Sequence, residues 1–181
     1  RGCFPLLVKL LDAHEDLSVQ VHPDDAYARS HERGELGKTE MWYVLHADPG
    51  TEIIFGLAAG ATRERLAAAL RGDGRDIQQL LQRTPARPGD AFCLSAGTVH
   101  ALLKGAVVVE IQETSDVTYR LYDWGRLGDD GKPRPLHIAQ ALGVIDWGRT
   151  SPPRAEPALL VEADGLRRYL LTECQRFITE R

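Results

Sequence analysis

Cysteine is scarce in this chain. Cys3, Cys93 and Cys174 are its three cysteines in 181 residues, and no CxxC spacing occurs. That argues against a disulfide framework and a cysteine-based zinc site, and makes a reducing, cytoplasmic compartment the expectation. Long apolar runs are also missing. Ala106–Val109 and Ala158–Val161 fall far short of the ~20 residues that span a bilayer, so no membrane partner is expected. Positive charge is not concentrated anywhere. The arginines are scattered, and 22 basic against 26 acidic residues leave a net charge of -4, so nucleic acid is not an expected partner. No basic segment followed by an apolar one opens the chain, and neither does an initiator Met. It starts at Arg1 and runs into FPLLVKLL, which reads as a fragment or a processed chain without a signal peptide. No internal repeat is visible, and nothing reports on oligomeric state.

What is present is an ordinary globular composition, 43% hydrophobic and 27% charged. The length suits one domain of roughly 100–200 residues with a small appendage. PLLVKLLDA is an apolar run of strand length. In LSVQVH, Leu17, Val19 and Val21 alternate with Ser18, Gln20 and His22, the period of a half-buried strand. Pro23-Asp24-Asp25 ends it, and residues 24–38 read as a loop or short helix. Glu40–His46 is aromatic and β-branched, hence a strand. Asp48-Pro49-Gly50 reads as a turn, with Thr51–Gly56 as the return strand of a hairpin. Thr62–Leu70 is expected to be helical, capped by Thr62 and stopped near Gly72, and Asp76–Arg83 is a second helix. Strand character returns at Arg87–Leu94, Ala106–Glu113 and Thr118–Trp124. A Gly/Asp/Pro-rich loop covers Gly125–Pro135, and Leu136–Leu142 reads as a helix. Ser151-Pro152-Pro153 and Pro157 mark a linker, and Tyr169–Thr179 reads as one strand. The fold class is mainly β (α+β), an antiparallel barrel or sandwich with a short helical insert.

Gln20 and His22, two positions apart on a strand, leave the same face. Glu40 opens the next strong strand. His100 follows a Pro-Gly turn, a short strand and a small-residue turn in PGDAFCLSAGTVH, a segment that resembles the metal-binding second motif of cupin barrels. Two imidazoles, a carboxylate and an amide suit Zn2+, although other divalent ions share such sites. His14, His31, His46 and His137 read as surface or loop residues. Tyr119, Tyr122, Trp124 and Trp42 read as core more than as a sugar platform.

QVHPDD, GELGKTEMWYVL, PGDAFCLSAGTVHAL and SDVTYRLYDWGR stand in this order in one chain. Together they resemble the type I mannose-6-phosphate isomerases, zinc-dependent cupins, over about residues 4–180. The resemblance implies a cupin-type barrel or jelly roll. It implies one Zn2+ per chain on Gln20, His22, Glu40 and His100, with Lys38, Glu110, Asp116 and Arg120 as active-site residues. By position, Lys9 and Ser18 fall on the family's phosphate contacts. It implies a metal-binding domain over 1–150 with its helical insert at 62–83. Residues 151–181 would be a linker and the first strand of a second cupin-like domain. One departure stands out: where some members carry a His before the Lys of the second motif, this chain has Gly37.

The implied reaction interconverts mannose 6-phosphate and fructose 6-phosphate through an enediol, so the expected partner is a phosphorylated hexose. Such chemistry needs a base near C2, and Lys38, Glu110 and Asp116 are all candidates. Arg120 suits a developing oxyanion. Its bland alternative is an ion pair with Asp123, or with Asp116, which at i,i+4 on a strand would share its face. Two other functions fit the motifs: a sugar-phosphate-binding cupin that keeps the metal without turnover, and a metal-dependent cupin oxidoreductase.

Overall fold

A computed structural model describes residues 4–72, 75–128, 130–148 and 155–181. Twelve strands and three α-helices are present among them. The first sheet contains β1 (Leu6–Asp12), β8 (Ala106–Glu113), β3 (Glu40–Ala47) and β6 (Ala91–Leu94), in that order. The second contains β5 (Leu81–Pro85), β4 (Glu52–Leu57), β7 (His100–Leu102), β2 (Val19–Val21) and β9 (Tyr119–Tyr122). All pairings are antiparallel. The two sheets face each other, as the alternating strands require: each presents one row of side chains to the other sheet and one row outward.

The inner rows are apolar at one end. Val44, Ile53, Phe55, Phe92, Leu94, Leu102 and Val108 form one buried cluster, with Phe55 and Phe92 edge to face at 5.2 Å. Burying each such side chain contributes about 1.5–3 kcal/mol. The outer face of the second sheet is covered by α2 (Arg63–Arg71), a 3-10 turn (Arg75–Leu80) and α3 (Ile138–Val144). Val19, Val21, Ile54, Ala101, Tyr119 and Leu121 pack there against Leu66, Leu70, Ile77, Ala141 and Leu142. The helical insert therefore lies outside the barrel, as expected. Thr62 caps α2 by accepting from the Arg65 N–H at 3.3 Å.

Three expectations need correction. Residues 51–56 do not return as a hairpin on β3: β4 pairs with β5 and β7 in the opposite sheet. The Asp48–Thr51 turn is real, with Thr51 N–H on the Asp48 carbonyl at 3.0 Å, but it passes the chain between sheets. The second helix is only a 3-10 turn that runs straight into β5, because 81–85 supply the edge partner of β4. Tyr169–Thr179 is not one strand but part of a meander of β10 (Ala158–Ala163), β11 (Leu166–Glu173) and β12 (Ile178–Glu180). This third sheet docks on the first through Leu171 and Phe177, which share a buried cluster with Met41 and Ala91. The loop-or-helix segment resolves as α1 (Asp25–His31), capped by Asp24. The expected linker residues Ser151, Pro152 and Pro153, and Cys3, lie outside the described residues.

Candidate metal centre

Two facing rows of inner side chains build the site. Across the first sheet, register aligns Lys9 with Glu110 and Glu110 with Trp42; one step along, Gln112 lies opposite Glu40. Across the second, Phe55 pairs with His100, His100 with Gln20 and Gln20 with Arg120. His22 follows β2 on the face that Gln20 occupies.

His22, Glu40 and His100 converge between the sheets, with ligand atoms within 4.8 Å of one another. His100 Nε2 lies 3.0 Å from Glu40 Oε1, and His22 Nε2 lies 3.6 Å from Oε2. The three side chains are fully enclosed. Gln20 brings its amide to the same point, 3.3 Å from His100 Nε2. The other ring nitrogens are anchored: His22 Nδ1 on the Val117 carbonyl at 2.8 Å, His100 Nδ1 on the Thr98 carbonyl at 2.9 Å. Each carbonyl accepts a hydrogen bond from Nδ1–H, which leaves Nε2 as a bare lone pair aimed inward, the arrangement of a metal-ligating imidazole. Burial lowers the His22 pKa to about 4 against the pull of Glu40, so the ring is neutral. Burial pushes Glu40 the other way, but the two imidazoles hold it well below the usual carboxylate range. A neutral His22 ring and an ionised Glu40 are the states a metal needs.

These atoms otherwise make no sense. His22 Nε2 and both Glu40 oxygens are buried without a hydrogen bond, and an unsatisfied buried polar group costs about 1–3 kcal/mol. A divalent cation resolves all three at once. Backbone contacts tie the ligands together as well. Gly97 donates its N–H to the His22 carbonyl at 2.9 Å and holds Asp146 N–H on its own carbonyl. Its φ is +85°, and a Cβ there would meet Asp146 N at 2.9 Å, so only glycine serves.

Lys38 is not a solvated loop lysine. It is buried, with Nζ 3.1 Å from Glu40 Oε2. Glu110 is also buried and takes the Trp42 indole N–H at 2.9 Å on one oxygen and Lys9 Nζ at 3.2 Å on the other. Lys9 reaches Gln112 too. Ser18 is buried just before β2. Arg120 extends from β9 with Nη1 on the Pro135 carbonyl at 2.9 Å and its buried Nε unpartnered. Partial burial and the nearby Arg134 lower its pKa. The proposed pairings of Arg120 do not form. Asp123 is taken by Arg126 at 2.6 Å and by Arg134 at 2.7 Å. Asp116 is exposed and precedes β9 rather than lying on it, so the shared strand face does not exist. The segment is turned locally: Ser115 Oγ takes the Val117 N–H at 3.3 Å, and Val117 gives its carbonyl to His22.

Sequence reasoning missed Gln112, Arg126 and Arg134. Gln112 was within reach, because two residues after Glu110 on a strand is the same face. The two arginines converge on Asp123 through an irregular loop that no periodicity encodes.

The first 50 residues match the model of the phosphomannose isomerase type I catalytic domain. Mannose-6-phosphate isomerase of Streptococcus mutans is 50% identical over 157 residues, 87% of this chain and 48% of that protein. Mannose-6-phosphate isomerase ManA of Bacillus subtilis is 49% identical over 143 residues, 79% of this chain and 44% of that protein. The chain is similar to the type I phosphomannose isomerases. The crystal structure of mannose 6-phosphate isomerase from Bacillus subtilis superposes with a TM-score of 0.89 at 40% identity, over 98% of this chain and 55% of that one. The cupin-type architecture is thereby established, and the chain spans about half the length of the relatives it matches. Some type I phosphomannose isomerases carry a His where this chain has Gly37. Here a Cβ at that position would lie 2.5 Å from the backbone of both Asp24 and Asp25. The start of α1 occupies the space a side chain would need. No helix among the described residues is long and apolar enough to cross a membrane.

Proposed function

We propose that this chain carries the zinc site of an isomerase that interconverts mannose 6-phosphate and fructose 6-phosphate in the cytoplasm. The observation that carries the reading is the convergence of inward donors on His22, Glu40 and His100, with His22 Nε2 and both Glu40 oxygens lacking a hydrogen bond and both Nδ1 atoms anchored. One Zn2+ would sit on these with Gln20, and when bound it supplies a Lewis acid that polarises the sugar oxygens at C1 and C2. With Glu40 as the single anionic ligand and Gln20 neutral, one positive charge remains over the site.

The chain's own residues do the rest. Glu110, which accepts from the Trp42 N–H and the Lys9 ammonium, is the carboxylate we assign to proton transfer between C1 and C2. Lys38, ion-paired with Glu40, is assigned to offset negative charge that develops on the enediol oxygens. Arg120 presents a fixed fork of donors, unpaired with any carboxylate among the described contacts, to the same oxygens. Asp116, exposed, is left outside the reacting centre. Lys9 and Ser18 are assigned to the phosphate. The surplus of positive charge at Arg120, Arg126 and Arg134 over Asp123 supports an anionic substrate. In this reading 1–150 is the metal-binding unit, and the meander begins a second unit.

A second reading is a sugar-phosphate-binding protein with the metal and no turnover. Gly37 favours it, since its position admits no ring-opening side chain. The test is a coupled isomerase assay on the full-length protein with metal content measured on the same sample. Zinc near one per chain and turnover lost to a chelator and restored by Zn2+ are expected. Zinc with no turnover selects the second reading, and iron in its place selects an oxidoreductase.

A further inference from the structure

The geometry points to Arg176, in the turn between β11 and β12, as a positioning residue for the segment that carries Lys38 and Glu40. The inference rests on the metal reading above. The backbone N–H groups on either side of Lys38 are both held by carboxylates. Gly37 N–H donates to Asp25 Oδ1 at 2.8 Å, and Thr39 N–H donates to Glu113 Oε2 at 2.8 Å. The second oxygen of each carboxylate meets one guanidinium: Arg176 Nη2 lies 2.5 Å from Asp25 Oδ2, and Nε lies 3.2 Å from Glu113 Oε1. A single planar fork thus bridges two carboxylates whose far oxygens clamp the chain around Lys38. Guanidinium geometry suits this; an ammonium would reach one partner.

The clamp has a fixed base. Lys38 N–H is itself held by the Pro23 carbonyl at 3.0 Å, and Glu113 N–H donates to the Thr39 carbonyl at 3.0 Å. On the Arg176 side, Phe177 is buried with Met41, the residue after Glu40. Cys174 N–H bonds the Phe177 carbonyl at 3.1 Å, closing the turn that presents the guanidinium. Without Arg176, Asp25 and Glu113 would stand as two like charges around one short segment. Each would gain by turning to water, and each turn would release an N–H beside Lys38. The third sheet therefore reaches the metal centre without touching it. It acts through Arg176, then the two carboxylates, then the backbone that sets Lys38 Nζ on Glu40 Oε2. Outer partners of this kind typically change metal affinity 10–100-fold.

The test is amide hydrogen exchange on the metal-free chain, with Zn2+ affinity measured separately by competition with a chromophoric chelator. In Arg176→Met, exchange at Gly37 and Thr39 should accelerate about tenfold or more. The Leu66 amide, in α2, should be unchanged. Zn2+ affinity should fall on the order of tenfold. Glu113→Gln should accelerate exchange at Thr39 and leave Gly37, still held through the Asp25–Arg176 pair, largely protected, and the double variant should lose little more than Arg176→Met alone. Arg176→Lys keeps the charge but one partner, so one of the two amides should remain protected; it serves as the variant if Arg176→Met fails to fold. Unchanged exchange at both amides, or additive losses in the double variant, would overturn the inference. A wild-type chain that binds no Zn2+ would defeat the metal reading alone, and the exchange result would still decide the role of Arg176.

Discussion

Replacing Gly37 by Ala adds one methyl group and is expected to be among the most damaging single changes near the site. The added Cβ would sit 2.5 Å from Asp24 C and 2.5 Å from Asp25 N, where ordinary contacts are 3.4–4 Å. The backbones must therefore part by about 1 Å. Both are pinned. Gly37 N–H is on Asp25 Oδ1, Lys38 N–H is on the Pro23 carbonyl, and Asp24 Oδ1 caps α1 at the Tyr27 N–H. Relief means losing one charge-assisted bond of about 1.5–3 kcal/mol and one neutral bond of about 0.5–1.5 kcal/mol. The sum, about 2–4.5 kcal/mol, corresponds to a fall in Tm of about 4–18 °C for a chain of this size. Differential scanning calorimetry of the two proteins at pH 7 checks it. Zn2+ affinity should drop in parallel, because Lys38 and Glu40 ride on the displaced segment. A Gly37→Ala protein within 1 °C of the parent would refute the steric reasoning. Gly37→His should be at least as unstable, and it should not add turnover.

The other expectations concern single side chains. His100→Ala should lose the metal itself, measured by mass spectrometry, and with it all isomerase activity. Arg120→Ala in the full-length protein should keep its zinc and fold but lose on the order of 10²–10³ in kcat, as for an oxyanion-stabilising donor; near-normal turnover would remove it from the reaction. Trp42→Phe takes the N–H from Glu110 Oε2 and should cost about 1–3 kcal/mol in urea unfolding. Asp123→Asn should destabilise by about 1–3 kcal/mol at neutral pH. Burial raises the Asp123 pKa, but Arg134 and Arg126 more than offset it, so the folded value is depressed. A depressed carboxylate contributes stability above its unfolded pKa of about 3.9 and loses it as pH falls through the folded value. The gap between wild type and Asp123→Asn should therefore be constant from pH 7 to 5 and narrow below about pH 4.

The four proposed ligand residues were legible because each sits where a short-range rule applies. Gln20 and His22 share a strand face by the period of two, and β3 begins at Glu40. What escaped was long-range. The turn at Asp48-Pro49-Gly50 announces a reversal but not which sheet receives the next strand, and that choice depends on the facing rows of Ile53, Phe55 and Phe92. The burial of Lys38 was not legible, because no local pattern reports a carboxylate two residues on that is buried between sheets. The tautomers of His22 and His100 depend on the carbonyls of Val117 and Thr98, one of them 95 residues away. The Arg176 clamp joins residues 151 positions apart. Residues 158–173 carry no clean alternation, and β10 is exposed along its whole length, so no period distinguished one strand from a meander.

Strand β2 is only three residues long, yet it carries a proposed metal ligand and is covered on both sides. Val19 and Val21 enter the helical layer, while Gln20 faces Glu40 and His100. A slip of one residue would send Gln20 and His22 into an apolar bed of Leu66, Ile77 and Leu142, and put two valines among the metal donors. Each misplaced polar group would cost about 1–3 kcal/mol, comparable with everything the strand's few ladder bonds contribute. The helices on the outside therefore proofread the reading frame of a strand whose chemistry lies on the other side. Replacing Leu66 or Ile77 by a polar residue would weaken that discrimination, and the damage would surface as metal-free, misregistered protein rather than as an altered active site.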